Sequence, residues 1–223
     1  MTHQEIPEEP VQPVDAALAS MLLTCATSRA WAEQDEGPYH REAQPLRRDI
    51  VEDREGVPLQ LGIRLTDHGG RPVQDATVEI WQCDALGRYS GFPPPDDAAV
   101  VTAADAPRGA YLPDQTFLRG RQRSDAAGMV EFRTRYPGWY PGRTVHVHVM
   151  VHDGPAKLTS QLYFPDDLND HVLSLEPYAA RPGRDTTNET DEIFPTGGDP
   201  AVVDVAPLAD AYRAAICLVL PGR

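Results

Sequence analysis

The chain has 223 residues, enough for a sizeable core and for one or two domains. Its 34 Asp and Glu outweigh 20 Lys and Arg, giving a formal charge of −14. That balance argues against nucleic acid or an anionic membrane as partner, favours solubility, and would mildly repel an anionic substrate at long range.

Residues 1–14, rich in Glu, Pro and Gln, read as a flexible arm. Residues 15–223 read as a single domain, because no Gly/Ser linker divides them. No basic segment followed by an apolar one opens the sequence, and no apolar run approaches the roughly 18 residues that span a membrane. A cytoplasmic location with no membrane partner is therefore expected. The first element is a helix from Asp15 to about Cys25, capped by Asp15, with Leu18, Met21, Leu22 and Cys25 forming an i, i+3, i+4, i+7 stripe.

Strands are expected at Leu59–Thr66, Thr77–Gln82, Met129–Thr134, Thr144–Val151, Thr159–Tyr163 and Ala214–Leu220. Asp67-His68-Gly69-Gly70, Asp84-Ala85-Leu86-Gly87 and Asp125-Ala126-Ala127-Gly128 are turn signals, the last two echoing each other. Pro93-Pro94-Pro95 and residues 176–200 read as long surface loops, and a short helix is expected near Leu208–Arg213. Short strands separated by Gly/Pro turns give a mainly β chain, a β-sandwich. The three cysteines, Cys25, Cys83 and Cys217, have no CxxC spacing and read as small buried apolar residues.

The chemistry concentrates in residues 136–151. His146 and His148 are two apart in a strand, so both leave one face, while Val145, Val147, Val149 and Val151 fill the other. A half-exposed strand could carry such a pair facing solvent. If buried, each ring needs partners for both nitrogens, and a metal ion offers both rings a shared one. Arg143 lies three residues before His146, Tyr140 sits in the turn just upstream, and Tyr89 comes after the Asp84–Gly87 turn. Phenolate oxygen is a hard anionic donor suited to ferric iron, whereas zinc sites combine His with Cys or carboxylate. His152 has the parity to join the pair, but Asp153-Gly154-Pro155 ends the strand before it; His3, His40, His68 and His171 read as surface or loop residues.

At these residues the sequence resembles the intradiol ring-cleavage dioxygenases, among them the protocatechuate 3,4-dioxygenases and the catechol and hydroxyquinol 1,2-dioxygenases. The motifs occur in order: Gly37-Pro38-Tyr39, Val78-Glu79-Ile80-Trp81-Gln82-Cys83-Asp84, Gly87-Arg88-Tyr89, Phe117-Leu118-Arg119-Gly120, Tyr136-Pro137-Gly138-Trp139-Tyr140-Pro141, Arg143-Thr144-Val145-His146-Val147-His148 and Thr159-Ser160-Gln161-Leu162-Tyr163-Phe164. The resemblance implies a prealbumin-like β-sandwich with long active-site loops. It implies non-haem Fe(III) held by Tyr89, Tyr140, His146 and His148, with Arg143 and Gln161 catalytic. Tyr140 would also take a substrate proton, and Tyr39 and Arg143 would contact the substrate. The reaction implied is O2-dependent opening of a catechol between its hydroxylated carbons, giving a cis,cis-muconate, with no nicotinamide, flavin or haem.

His146 follows Tyr140 more closely than in the protocatechuate and catechol enzymes and as in single-chain relatives, which leaves the preferred catechol open. The resemblance allows a homo-oligomer but requires no second kind of subunit. A Cys25–Cys217 bridge stays open because relatives are often exported. Two other classes compete. A non-catalytic sandwich module has no need for Tyr89, Tyr140, His146 and His148 together. A different His-x-His metalloenzyme wants a carboxylate or third His that the spacing does not supply.

Overall fold

Alternation of apolar residues builds the central strand, β2 (Pro58–Thr66), whose Leu59, Leu61, Ile63 and Leu65 are all buried on one face. The structure is a computed structural model and describes residues 13–24, 28–93, 112, 114–196 and 201–221. β2 pairs antiparallel with β5 (Met129–Arg135) and parallel with β9 (Tyr212–Val219). β9 is flanked by β1 (Arg29–Ala30) and β8 (Asp204–Pro207), completing the first sheet. The second sheet runs β4 (Arg119–Arg123), β3 (Thr77–Trp81), β6 (His146–Asp153), β7 (Ala156–Tyr163), with every neighbour antiparallel. Leu61, Ile63, Phe132 and Ile216 of the first sheet share one buried cluster with Ile80, Val147, Val149 and Leu162 of the second. The mainly β sandwich expected from the sequence is the architecture found.

Helix α1 (Ala16–Leu23) lays Leu18 and Leu22 against Met129 and Ala215 on the outer side of the first sheet. Asp15 caps it, its Oδ1 accepting from the amides of Ala17 at 3.0 Å and Leu18 at 3.2 Å. Asp15→Ala is expected to cost about 1 kcal/mol of stability. A urea unfolding midpoint equal to wild type would show that the cap contributes nothing.

Several elements differ from expectation. Leu208–Arg213 is no helix: it forms the β8–β9 turn, closed by the Leu208 amide on the Ala211 carbonyl, and Tyr212 and Arg213 pair with Leu59 and Gln60. β6 continues to Asp153, so His152 lies within it, its Nε2 3.1 Å from Glu79 Oε1. β1, β4, β8 and helix α2 (Asp166–Leu173) had no apolar signature to announce them. Residues 176–196 form the long surface loop expected, with two short 3-10 turns, but it is pinned to the domain by four buried residues, Tyr178, Thr186, Asn188 and Asp191. Cys83 and Cys217 are buried as expected, whereas Cys25, the 94–95 half of the proline run, residues 197–200 and most of the 1–14 arm lie outside the described residues. Among the described residues no helix is long and apolar enough to cross a membrane.

The ladder of the second sheet sets a cluster of polar and aromatic side chains side by side. Trp81 lies opposite His148, His148 opposite Gln161, and His146 opposite Tyr163. Because side chains alternate, these residues leave the face opposite the valines of β6, the outer face of the sheet.

Candidate active site and metal centre

His146 Nδ1 lies 2.7 Å from the Thr144 carbonyl, which can only accept, so the ring proton sits on Nδ1 and Nε2 carries a bare lone pair. That Nε2 lies 3.1 Å from His148 Nε2, 3.3 Å from the Tyr140 hydroxyl and 3.5 Å from the Tyr89 hydroxyl. Two strand histidines and two turn tyrosines thus converge on one spot, each at most 3% exposed. His148 Nδ1 is buried without a hydrogen-bond partner.

Burial, reinforced by the Arg143 charge, pushes His146 down to about 3. Burial, with His146 and Arg143 behind it, holds His148 well below the usual imidazole range. Both rings are therefore neutral. Burial pushes Tyr140 up to about 12, with the Arg143 charge opposing it, and holds Tyr89 well above the ordinary phenol range. Two neutral imidazoles and two hydroxyls that are hard to ionise are poorly satisfied by one another. A trivalent cation would favour both phenolates and take the imidazole lone pairs, so the donor set fits ferric iron. Among the described residues no group of three or more His, Cys, Asp or Glu could hold an ion, so the tyrosines are needed to complete such a site.

Each tyrosine is aimed by its turn. Asp84 Oδ1 accepts from the amides of Leu86 at 2.9 Å and Arg88 at 3.0 Å, closing the turn that delivers Tyr89. Asp125 Oδ1 takes the amides of Ala127 at 2.8 Å and Met129 at 2.9 Å, so the echo between the two Asp-Ala-x-Gly segments is a shared turn geometry. The turn carrying Tyr140 lies against the first one, with the Gly138 amide 3.1 Å from the Asp84 carbonyl.

Around the four donors stand the other sequence candidates. Tyr39 stacks on Tyr89 with ring centroids 4.3 Å apart and meets Tyr140 edge-on at 6.0 Å. Gly37 leads into it, and a Cβ there would come within 3.1 Å of His148 Cε1, so the 37–39 segment covers the site closely. Arg143 donates from Nη2 to Gln161 Oε1, while Gln161 Nε2 donates to the Asp35 carbonyl at 3.1 Å. Tyr163 donates to Gln161 Oε1 at 3.2 Å, whereas Tyr136 and Trp139 belong to the main core.

Three neighbours were not anticipated from the sequence. Trp81 stacks on His148 at 4.8 Å with planes 5° apart and also meets His40, a half-buried loop residue, with ring centroids 4.7 Å apart. Arg119, 1% exposed, donates to the carbonyls of Tyr39 and Ser90 and so ties the 39 and 90 segments together. Asp191 takes the Arg143 Nε at 2.9 Å. Trp81 could have been found from its strand parity opposite a candidate histidine. Asp191, in an aperiodic stretch 48 residues from Arg143, gave no signal.

The outer sheet face of this sandwich gathers two tyrosines and two histidines around one point, a donor set that fits a single metal ion. Residues 35–183 match the Dioxygenase family profile, and the chain belongs to that family, in its intradiol branch. An intradiol ring-cleavage dioxygenase from Tetranychus urticae superposes with a TM-score of 0.75 at 32% identity, covering 87% of this chain and 96% of that one. The protocatechuate 3,4-dioxygenase beta chain of Burkholderia cepacia is 34% identical over 156 residues, 61% of each chain. A chlorocatechol 1,2-dioxygenase of Rhodococcus opacus is 26% identical over 158 residues, 59% of this chain and 55% of that enzyme. The chain thus spans somewhat under two thirds of the length of these two curated relatives.

Proposed function

We propose that the protein is a non-haem Fe(III)-dependent intradiol dioxygenase. It would open catechol-type rings between the two hydroxylated carbons with O2, giving cis,cis-muconate-type products in the breakdown of aromatic compounds. The observation that carries this is the approach of Tyr89, Tyr140 and His148 to within 3.5 Å of a bare His146 Nε2, in a pocket otherwise short of hydrogen-bond partners.

Tyr89, Tyr140, His146 and His148 would hold the ion. Fe(III) supplies a Lewis acid for the two catechol oxygens and an electron sink that makes the ring reactive toward O2. Tyr140 would be the proton acceptor: its phenolate oxygen, released from the ion, would take a proton from a substrate hydroxyl. Arg143, bridged to Tyr140 through the backbone, sets a permanent positive charge where negative charge develops on the substrate. Gln161 holds that guanidinium from the neighbouring strand. Tyr39, stacked on Tyr89, offers a wall for a flat ring. Burial of all four donors excludes water and keeps these electrostatic interactions strong.

On this proposal residues 15–223 form one catalytic domain behind a 1–14 arm, acting in the cytoplasm on a small catechol and O2, alone or as a homo-oligomer. The test is the visible spectrum of the aerobically purified protein, before and after catechol is added without oxygen. A red-brown tyrosinate-to-iron band that moves to longer wavelength is expected. A protein still colourless after iron is supplied in air sinks the proposal.

A further inference from the structure

Arg143 is gripped from two sides. Gln161 on β7 takes its Nη2 and Asp191 takes its Nε at 2.9 Å. Bonds on two different nitrogens fix both the plane and the rotation of a guanidinium. Asp191 comes from the 176–196 segment, eight residues past the 35–183 stretch that carries the family match.

Its carboxylate is 2% exposed and fully used. Oδ2 also accepts the Thr144 amide at 2.8 Å, and Oδ1 accepts the amides of Ile193 at 2.8 Å and Phe194 at 2.9 Å. Thr144 is the residue whose carbonyl fixes the proton on His146. One buried carboxylate therefore holds the guanidinium, the backbone that sets the His146 tautomer, and the loop that closes over both. Three backbone amides and the Arg143 Nε together fill the carboxylate, so the guanidinium is held by a group that is itself fixed by the backbone.

We infer that Asp191 is a positioning residue that sets the Arg143 guanidinium beside Tyr140 before substrate arrives, so that its charge meets the developing negative charge without first reorienting. The inference rests on the dioxygenase reading. Pre-set charge acts in the transition state more than in ground-state binding, so its loss should fall on kcat rather than on affinity.

The test is Asp191→Asn in the iron-loaded full chain, beside wild type, Arg143→Gln and the double variant. Asparagine keeps the shape but loses the charge and one acceptor. The expected kcat is about 10- to 100-fold lower, with KM for catechol within about threefold of wild type. The dissociation constant of 4-nitrocatechol, read from its own absorption, should likewise stay within about threefold. The double variant should be no slower than Arg143→Gln alone, because both remove one function. Melting about 5–10 °C lower is also expected from a broken buried ion pair.

A kcat within about twofold of wild type despite the lower melting temperature would make Asp191 merely structural and overturn the inference. So would losses that multiply in the double variant. Should Asp191→Asn not fold, Asp191→Glu is read instead. Its extra methylene moves the carboxylate off Nε while keeping the charge, so kcat falls with 4-nitrocatechol affinity intact, and a wild-type kcat there overturns the assignment. Failure of the underlying reading shows differently: the wild-type chain itself would neither perturb 4-nitrocatechol absorption nor open catechol, which overturns both.

Discussion

His146→Ala and His148→Ala are each expected to abolish the tyrosinate-to-iron colour and to weaken iron retention by well over about a hundredfold. Removing only an outer-sphere partner of a metal ligand typically weakens binding by about 10- to 100-fold. Here a direct donor disappears from a set of four, and among the described residues no group of three or more His, Cys, Asp or Glu could take over the ion. Tyr89→Phe and Tyr140→Phe should have the same effect on iron, since each removes an anion as well as a donor. Stability of the iron-free protein should respond far less. In the iron-free protein the two hydroxyls bond one another and make long contacts of 3.5 and 3.3 Å to His146, and burial holds both against ionisation. Losing one of these hydroxyls at nearly constant volume leaves the other short of a partner, so a change of no more than about 1 kcal/mol is expected. The paired measurement is iron per chain after dialysis against a chelator and the urea midpoint of the iron-free protein. Variants that keep one iron per chain would remove these residues from the metal centre.

Only part of this site could be read from the chain. His146 and His148 were legible because a strand's period of two is rigid, so spacing alone places both rings on one face opposite the valines of β6. Tyr89 and Tyr140 were legible through the family resemblance, since Asp-x-x-Gly and Pro-Gly chemistry announces a turn but not what its tyrosine does. β4 was invisible: Arg119-Gly120-Arg121-Gln122-Arg123 has no apolar alternation, and its charge is accommodated by outside partners such as the Tyr39 and Ser90 carbonyls around Arg119. Leu208–Arg213 looked helical locally, but parallel pairing of Tyr212 and Arg213 with β2 overrides that preference. The 176–196 segment looked like surface because it is rich in charge and proline. What it hides are single anchors whose partners lie far away in sequence, such as the Tyr178 hydroxyl, which donates to the Tyr136 carbonyl at 2.7 Å and accepts the Val57 amide at 3.0 Å. Asp191 belongs to the same class. Long-range polar contacts carry no periodicity, so only the folded chain shows them.

The turns lead to the second large effect. The two loops that deliver the tyrosines touch backbone to backbone. A Cβ at Gly138 would stand 2.5 Å from the Ala85 carbonyl oxygen and 2.7 Å from the Asp84 carbonyl oxygen. A Cβ at Gly87, where φ is +77°, would stand 2.4 Å from the Trp139 carbonyl oxygen. Neither obstacle is a side chain that can swing away, so Gly138→Ala must push apart the turns bearing Tyr89 and Tyr140. A cost at or beyond the top of the roughly 1–3 kcal/mol range for overpacking is expected, together with a bleached or shifted tyrosinate band in whatever protein still folds. Gly87→Ala should cost more, since a left-handed residue adds about 1–2 kcal/mol of its own. Gly70→Ala separates the two contributions: its φ is +76°, with nothing within 4 Å of the new methyl, so it should carry only the conformational part and leave the band untouched. The difference between Gly87→Ala and Gly70→Ala in urea unfolding then measures the contact with the Trp139 carbonyl together with that of Arg181 Nη1, 2.8 Å from the new methyl. If the two cost the same, or if Gly138→Ala keeps both wild-type stability and the wild-type band, the spacing of the tyrosines is set by something other than the meeting of these turns.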